Sequence, residues 1–389
     1  MKYYNVKDGK RIESWCNNPE SGAIEQAENL ARLPFLFSHV ALMPDTHQGY
    51  GMPIGGVIAT ENVVIPNAVG VDIGCGMRFI EANIKSSELN DDFKTEIYSR
   101  IKEDIPVGFK KHNEPQEWSM FNHCAWNDNN ILGKNLENAK ISLGTLGGGN
   151  HFIEMQENDK GNICFMIHSG SRNLGKQICD YYNKIAKYYN KRYYSSVPEN
   201  YDLAFLAVDS INGHEYLDAM NIALKFAKEN RNQMMIRIKV IFNNLFPKMK
   251  VVFEHDIHHN YVALENHYEK NVYVHRKGST RARKDEIGII PGSQGTSSYI
   301  VKGLGNPKSF MSCSHGAGRK MSRKKARENL NLESEIASLN KAGVKHNITK
   351  VNDLDEAPSA YKNIDIVMEE QKDLVEIIQK LKPLLVVKG

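Results

Sequence analysis

The sequence feature that most constrains the fold is a series of glycine-rich segments that carry potential catalytic or metal-binding side chains. These segments are distributed along the whole chain. The first of them surrounds Asp72, and others continue to the C-terminus of the 389 residues. No Pro/Ser/Gly linker, low-complexity tract or internal repeat separates one half of the chain from the other. This length would ordinarily suggest two or three domains, but a site drawn from the whole chain predicts one intertwined unit over residues 1–389.

The segment Gly70 to Arg78 places a carboxylate, Asp72, and a thiol, Cys75, on one small turn. A thiolate and a carboxylate at this spacing can bind the same metal centre. The alternative is a glycine-rich turn with a buried structural cysteine. The metal site is favoured because four histidines elsewhere are flanked by small or polar residues that let a metal or substrate approach. These are His151, His168, His259 and His315.

Two further glycine-dense segments carry polar side chains. In the first, Asp45 and His47 follow an apolar strand, and they either orient metal ligands or cap the turn. In the second, Ser142 to Glu154, a triple glycine lets backbone N–H groups face an anion, without the Lys-Ser/Thr ending of a P-loop. Strand alternation predicts that His151 and Glu154 serve different parts of a site.

The middle of the chain is predicted to be largely helical. A buried strand ends at His168, with Arg172 nearby as an anion contact, and a helix from Lys176 to Tyr194 and a tyrosine-rich, polar connection follow. An amphipathic helix, broken once, is predicted from Asn212 to Leu245. Core packing explains its pattern, so we assign it no catalytic role.

The last third contains a histidine-rich strand and a predicted C-terminal helix. Among three imidazoles in five positions, His259 is the preferred ligand, and His255 and His258 are expected outside the metal centre because neighbouring strand residues oppose each other. A helix is predicted from Ser359 to Leu381, followed by a short strand from Leu384 to Val387.

Positive charge is clustered although the net charge is only +4. Such clusters are commonly solvated faces, but the two here bracket His315, which favours a phosphate-binding role. The first consists of Arg276, Lys277, Arg281, Arg283 and Lys284, and the second of Arg319, Lys320, Arg323, Lys324, Lys325 and Arg327.

The cysteines and the hydropathy pattern predict a cytoplasmic protein. Six cysteines lack paired spacing, which favours free thiols or a ligand over disulfides. No apolar run approaches the roughly 20 residues needed to cross a bilayer, and the N-terminal segment has no signal-peptide core.

Six of these segments, taken together and in order, resemble the RtcB family of RNA ligases, and the resemblance covers nearly the whole chain. At 389 residues the chain is similar to the shorter bacterial members of that family. The segments are Gly70 to Gly76, Leu143 to Glu154, Ile167 to Gly175, His275 to Ala282, Pro291 to Gly303 and His315 to Arg323.

The resemblance implies an α+β fold, with a β-sheet core surrounded by helices. It also implies a GTP-dependent ligase that joins RNA 3′-phosphate or 2′,3′-cyclic phosphate ends to 5′-hydroxyl ends through a histidine–GMP intermediate, in RNA repair or tRNA splicing. Two Mn(II) ions and GTP are the implied cofactors. By the usual affinity order, however, Cys, His and Asp ligands bind zinc more tightly than manganese, so we expect zinc to occupy the site and inhibit.

Carried over by motif, Cys75 would bridge two metal ions and His315 would accept GMP from GTP. The remaining metal ligands implied are Asp72 and His151 for one ion, and His168 and His259 for the other. The implied nucleotide contacts are Asn150, Glu154, Arg172, Ser293, Ser298, Ala317, Gly318, Arg319, Arg323, Tyr361 and Lys388.

Two other functions are compatible with parts of this pattern. A metal-dependent RNA phosphoesterase would use the same metal centre without needing His315 or a guanine pocket. A non-catalytic RNA-binding protein would need neither. The resemblance leaves open which RNA is the substrate and whether an activating protein takes part.

Overall fold

Two large β-sheets form the scaffold of the protein, and the computed structural model describes all of residues 1–389. The strands are β1 (Lys2–Tyr4), β2 (Ile12–Ser14), β3 (Leu36–His47), β4 (Ile54–Thr60), β5 (Val63–Val64), β6 (Gly76–Lys85), β7 (Phe152–Asn158), β8 (Asn162–Ser169), β9 (Leu206–Ala207), β10 (Val251–His258), β11 (Asn260–His267), β12 (Lys270–Lys277), β13 (Ser279–Arg281), β14 (Ile287–Ile290), β15 (Ser298–Gly303), β16 (Ser312–Ser314) and β17 (Val375–Lys388).

Helices cover the sheets and fill the connections between strands. The α-helices are α1 (Ser21–Ala31), α2 (Pro66–Val69), α3 (Asp91–Asp104), α4 (Ala125–Asp128), α5 (Asn130–Ser142), α6 (Asn173–Arg192), α7 (Ile211–Leu245), α8 (Arg323–Asn329), α9 (Leu332–Lys341) and α10 (Ile364–Glu370). Short 3₁₀ turns lie at Ser86–Glu88, Ser119–Asn122, Glu199–Tyr201, Pro307–Ser309, Val351–Glu356 and Pro358–Ala360. Mixed helix and sheet confirm the predicted α+β class.

The first sheet has six strands in the order β1-β2-β3-β4-β12-β11, and the second has seven in the order β10-β6-β8-β7-β17-β15-β14. All neighbours are antiparallel except β2 and β3. Two small pairs, β13 with β16 and β5 with β9, complete the strand pairing.

Antiparallel order in the second sheet gathers four of the candidate ligands at one edge. Neighbouring strands run in opposite directions, so the starts of β6 and β7 lie beside the ends of β8 and β10. Cys75 and His151 immediately precede β6 and β7, His168 is the penultimate residue of β8, and His259 follows β10. Phe152, the first residue of β7, pairs with His168 in register.

The longest helix, α7, packs on the second sheet and is continuous over 35 residues. Its N-cap, Ser210, accepts a hydrogen bond from the Gly213 N–H, which satisfies one of the free donors of the first turn. Met234, Ile238 and Phe242 are buried in the core between α7 and the sheet. The predicted break is therefore wrong, because the apolar face continues through the whole length.

The predicted C-terminal helix is also wrong. Only Ile364–Glu370 is helical, and Val375–Lys388 is a 14-residue strand between β7 and β15. Two neighbouring strands satisfy the backbone groups of β17, and this pairing overrides the helical preference of its Glu, Gln, Lys and Leu residues. The register pairs Lys388 with Phe152, so the strand brings Lys388 to the edge that carries the candidate ligands.

The cysteine prediction agrees with the structure, in which all six thiols are free. None of the helices combines the length and the apolar character that crossing a bilayer requires.

Candidate active site

Cys75 lies at the centre of a buried cluster of metal-ligand side chains. Its Sγ atom is 3.2 Å from His168 Nε2 and 3.4 Å from His151 Nε2. His168 Nε2 is in turn 3.3 Å from His259 Nε2, and His151 Nε2 is 3.5 Å from Asp72 Oδ2. Two groups result, Cys75 with His168 and His259, and Cys75 with Asp72 and His151, and the ligand atoms within each lie no more than 4.8 Å apart.

Backbone carbonyls orient two of these imidazoles. His151 Nδ1 lies 3.1 Å from the Leu146 carbonyl oxygen, and His168 Nδ1 lies 3.1 Å from the Asn150 carbonyl oxygen. A ring that donates its Nδ1–H to a carbonyl keeps the Nε2 lone pair free for a cation. Both Nε2 atoms lie within 3.4 Å of the Cys75 sulfur. The Arg172 guanidinium also directs an N–H at His151 Nδ1, so the carbonyl contact fixes the tautomer of His168 only.

Glycines keep side-chain bulk out of this cluster. A Cβ atom on Gly76 would collide with the Ile257 carbonyl of the neighbouring strand. A Cβ atom on Gly170 would lie 2.7 Å from Asp72 Oδ1 and 3.4 Å from Cys75 Cβ. At both positions any larger residue would displace a candidate ligand or its strand.

The chemistry of the donor set fits a divalent cation. Burial lowers the pKa of His168 and His259 well below the usual value, and the neighbouring imidazoles lower it further, so both rings are neutral and have lone pairs to donate. Burial, with the nearby Asp72 charge, raises the pKa of Cys75 well above its usual value. A metal ion would supply the positive charge that a buried thiolate needs.

His315 lies directly beside the cluster but is held by a different partner. Its ring centroid is 4.8 Å from that of His259, and its Nδ1 is 2.6 Å from Asp45 Oδ2. The backbone N–H groups of His315 and Gly316 also donate to this carboxylate oxygen, at 3.0 and 3.3 Å. The prediction that Asp45 orients a metal ligand is therefore wrong, because the side chain that it orients is His315, and Asp45 also accepts two backbone N–H groups of the His315 turn.

The electrostatics of this pair favour an ionised carboxylate. Burial alone would raise the pKa of Asp45, but the charge and hydrogen bond of His315 outweigh burial, and the pKa lies below its usual value. When the His315 ring is neutral and its Nδ1–H is donated to Asp45, the Nε2 lone pair is available to the adjoining cavity. In other enzymes, a group that orients a histidine in this way likewise makes the second ring nitrogen of that histidine more reactive.

A cavity of about 810 Å³ joins His315 and the metal-ligand cluster. Its volume suits a nucleotide-sized ligand. Most sequence-predicted site residues line it, and these are Asp72, Cys75, Asn150, Glu154, His168, His259, Ser293, His315, Ala317, Gly318, Arg319, Arg323, Tyr361 and Lys388.

Two predicted nucleotide contacts lie behind the cavity wall instead. Arg172 is 3.0 Å from His151 Nδ1 and 3.3 Å from Thr145 Oγ1, and it does not line the cavity. Ser298 is buried, and its Oγ accepts a hydrogen bond from Gln156 Nε2 at 2.9 Å. The Gln156 amide also donates to Glu154, so Ser298 supports Glu154 indirectly.

Glu356 is a cavity residue that the sequence analysis did not identify. Its carboxylate is 2.8 Å from Arg323 Nε, 3.2 Å from Arg319 Nη1 and 3.5 Å from Lys388 Nζ, and it accepts the Tyr361 hydroxyl. Burial would raise the pKa of Glu356, but these cations lower it to about 2. An ionised carboxylate therefore positions the cations that face the cavity.

The two basic clusters differ. In the first, the phosphate-binding prediction is wrong for Arg276 and Arg281, whereas Lys277 lines the cavity. Arg276 is fully buried, and its guanidinium is bound by Glu265 and Ser312. Arg281 is paired with Glu286. Members of the second cluster, Arg319, Arg323 and Lys324, do line the cavity.

Asn230 lies in the middle of α7 and supports the site. The sequence does not predict this role, because the helical periodicity of α7 is explained by apolar core packing. Its Oδ1 accepts hydrogen bonds from the Gly144 and Thr145 N–H groups at 2.7 and 3.1 Å. Its Nδ2 donates to the Thr145 carbonyl and to Ser169 Oγ, both at 3.1 Å. This fully buried side chain ties the glycine-rich segment to the end of β8.

Arg231, the next residue, ties the turn that carries Cys75 to the end of β8. Its Nη1 donates to the carbonyl oxygens of Gly74 and Ser169, at 3.0 and 2.8 Å, and both residues adjoin candidate metal ligands. Its charge is balanced by Asp256 at 2.7 Å. The sequence does indicate that both polar residues are buried, because they lie on the same helix face as Ala223 and Ala227.

The remaining histidines of the β10 segment lie outside the cluster, as expected. His258 Nδ1 is 3.2 Å from the Gly74 carbonyl, and burial lowers its pKa to about 4. His255 belongs to neither ligand group. Asn260 instead supports the turn, since its Nδ2 donates to the Asp72 carbonyl at 3.0 Å.

Comparison with known proteins gives consistent matches over nearly the whole chain. A family model described as tRNA-splicing ligase RtcB matches residues 26–389. RNA-splicing ligase RtcB of Escherichia coli K12 is 37% identical, with 95% of each chain covered. RNA-splicing ligase RtcB homolog 1 of Entamoeba dispar is 34% identical, covering 99% of this chain and 85% of the relative. The tRNA-splicing ligase RtcB of Thermococcus kodakarensis is 30% identical, covering 94% and 91%.

Proposed function

Because this chain belongs to the RtcB family of RNA-splicing ligases, we propose that it joins RNA 3′-phosphate or 2′,3′-cyclic phosphate ends to 5′-hydroxyl ends, using GTP, in tRNA splicing or RNA repair. The observation that carries this proposal is the position of His315. It faces the same cavity as four of the candidate metal ligands, Asp72, Cys75, His168 and His259, and Asp45 orients its ring.

His315 Nε2 is the nucleophile of the first step. It attacks the α-phosphorus of GTP, a P–N bond forms, and the P–O bond to the departing pyrophosphate breaks. The positive charge that develops on the imidazole is balanced by Asp45, which holds the Nδ1 proton. This covalent step divides one difficult transfer into two easier ones.

The second and third steps use the bound GMP. The RNA 3′-phosphate attacks the phosphorus of the histidine adduct, which frees His315 and leaves GMP on the RNA end. The 5′-hydroxyl of the other RNA then attacks the 3′-phosphorus and releases GMP. A 2′,3′-cyclic phosphate first needs hydrolysis to a 3′-phosphate.

Two metal ions, Mn(II) by family resemblance, would be held by the two groups that share Cys75. Asp72 and His151 complete one group, and His168 and His259 the other. Divalent ions bound there would withdraw charge from the α-phosphate and help to align the displacement. The neutral imidazoles and the free Nε2 atoms support this assignment.

The far wall of the cavity is proposed to hold guanine and phosphates. Burial raises the pKa of Glu154 well above its usual value, and the N–H donors of a guanine edge would stabilise its ionised form. Ser293, Tyr361 and Lys388 face the same space, with Ser298 acting through Gln156. Phosphate contacts are assigned to Asn150, Arg319 and Arg323, with Ala317 and Gly318 leaving room beside His315. Arg172 supports His151 from behind the cavity wall.

We assign residues 1–389 to one ligase domain, since the proposed site takes side chains from Asp45 to Lys388. Incubation with GTP labelled on the α-phosphate, in the presence of Mn(II), tests the proposed function. The expected product is an acid-labile, alkali-stable label on the protein. Release of inorganic phosphate from RNA 3′ ends without any labelled protein would instead identify a phosphoesterase.

Replacing Asp45 by asparagine should slow labelling of the protein by on the order of 10²- to 10⁴-fold, because the neutral amide cannot balance charge on His315. Rapid quenching of the labelling reaction measures this rate. Mn(II) binding should be unchanged, since Asp45 belongs to neither ligand group. An unaltered labelling rate would show that Asp45 has no role in activating His315.

A further inference from the structure

A second cavity lies at the C-terminal end of α6, and the proposed chemistry does not use it. Its volume is about 270 Å³. It is lined by Lys187, Asn190, Lys191, Tyr194, Ser195, Val197, Pro198, Glu199 and Ala204. We call residues 187–198 of this region the tyrosine surface.

The sequence around this surface is basic and aromatic. Residues 187–198 contain four tyrosines and three cations, with no acidic residue. The cations are Lys187, which pairs with Asp202, and Lys191 and Arg192. Interleaved tyrosines and cations are the composition with which proteins bind single-stranded nucleic acid.

The tyrosine side chains are unusually accessible. Tyr188, Tyr193 and Tyr194 are 57%, 71% and 94% exposed. The rings of Tyr189 and Tyr193 are parallel, with centroids 5.9 Å apart and an interplanar angle of 7°. Tyr194 has a φ of 53°, a left-handed conformation that a bulky residue rarely adopts. Exposed aromatic rings held in this way offer faces on which bases can stack.

The tyrosine surface is connected to the mouth of the large cavity through Asp202. Lys187 is 2.5 Å from Asp202 Oδ1, and the Asp202 carbonyl accepts a hydrogen bond from Asn67 at 3.0 Å. Gly51 packs so closely on that carbonyl that a Cβ atom would lie 2.6 Å from it. The neighbouring Tyr50 is 79% exposed and lines the large cavity.

We propose that the tyrosine surface binds single-stranded RNA that leads away from the reacting ends. This inference rests on the proposed function, which supplies the RNA. Helix α6 starts beside the metal cluster at Asn173, and Tyr188 lies fifteen residues further, or about 22 Å along the axis. That distance corresponds to roughly seven stacked nucleotides at ~3.4 Å each. Only RNA longer than this should reach the surface.

Replacing Tyr193 and Tyr194 together by alanine tests the proposal. The affinity for a 20-nucleotide RNA, measured by fluorescence anisotropy, should fall about 10- to 100-fold, and KM for joining should rise equally with kcat unchanged. Joining of five-nucleotide substrates and labelling by GTP should not change. The Tyr193→Phe/Tyr194→Phe variant keeps both rings and should bind RNA as the wild type does.

The matched control is Tyr3→Ala/Tyr268→Ala, which removes two tyrosines that are about half exposed outside this surface, 53% and 48%. It should leave RNA affinity unchanged. Equal RNA affinity of the Tyr193→Ala/Tyr194→Ala variant and the wild type would overturn the proposal. A change of oligomeric state without a change of RNA affinity would also overturn the proposal. It would show that a second copy of the chain, and not RNA, binds the tyrosine surface.

A second variant keeps the proposal testable if the Tyr193→Ala/Tyr194→Ala protein misfolds. If Tyr193→Ala/Tyr194→Ala loses GTP labelling, Lys191→Glu is measured instead, and it should weaken binding and reduce its salt dependence. Unchanged binding of this variant would contradict the proposal. Fluorescence anisotropy measures RNA binding and does not depend on catalysis. If the wild type were not labelled by GTP, the proposed function would be refuted, and the RNA affinity of the variants would still test the tyrosine surface.

Discussion

Replacing His315 by alanine should abolish transfer of GMP to the protein and, with it, RNA joining. The imidazole is the only side chain that Asp45 orients toward the cavity beside the metal cluster, and no neighbouring group can take over its covalent role. We expect joining to fall by on the order of 10⁴-fold or more. The measurement is gel detection of labelled protein after incubation with labelled GTP, together with the yield of joined RNA.

RNA affinity should survive this change, because His315 is a single residue of a much larger cavity. The matched control is His255→Ala, which removes a histidine that belongs to neither ligand group and should label normally. Retained RNA joining by His315→Ala would refute the covalent mechanism. Loss of labelling in both variants would show that the effect does not depend on the position of His315.

Replacing Cys75 by alanine should remove both metal ions and all activity at once. Its sulfur belongs to both ligand groups, so its loss leaves each ion with only two of its proposed protein ligands. We expect Mn(II) affinity to fall by more than about 100-fold. Isothermal titration with Mn(II), and metal content after gel filtration, measure the loss directly without relying on catalysis.

Cys164→Ala provides the matched control for this variant. Cys164 is a buried, free thiol in β8, the strand that also carries His168, but it is outside both ligand groups. Its replacement should leave metal stoichiometry and labelling intact. Two bound ions per chain in Cys75→Ala would rule out the bridging role.

The candidate ligands could be selected from the sequence because their local setting is unusual. The candidate histidines lie beside small or polar residues, and Asp72 and Cys75 share a glycine-rich turn. Local composition therefore selected Asp72, Cys75, His151, His168, His259 and His315 as one set. The family resemblance distinguished His315 as the nucleophile, and the structure brings the other five together.

The positioning residues could not be selected in this way. Asn230 and Arg231 were assigned to core packing because helical periodicity reports which face is buried and not what that face touches. Their partners include backbone groups of two loops more than 50 residues away in sequence. Glu356 was missed for the same reason, since an isolated carboxylate carries no local signal of the cations around it.

The C-terminal segment shows the same limit for secondary structure. Its lysines, glutamates and leucines favour a helix as a local sequence, yet Val375–Lys388 is a strand. The backbone groups of β7 and β15 decide this, because β17 fills the space between them and satisfies their hydrogen bonds. Arg276 similarly belongs to a basic cluster in sequence but is neutralised by Glu265 inside the protein.

The sequence by itself determined the kinds of donor atoms, their order along the chain and the family to which the chain belongs, because these depend on residue identity and local spacing. The tertiary structure alone decided which histidine Asp45 holds, that Arg172 and Ser298 lie behind the cavity wall, and that Glu356 holds the cations that face the cavity. Each of these depends on the register of antiparallel strands and on two sheets meeting at one cavity. Such long-range contacts leave no trace in the spacing of neighbouring residues.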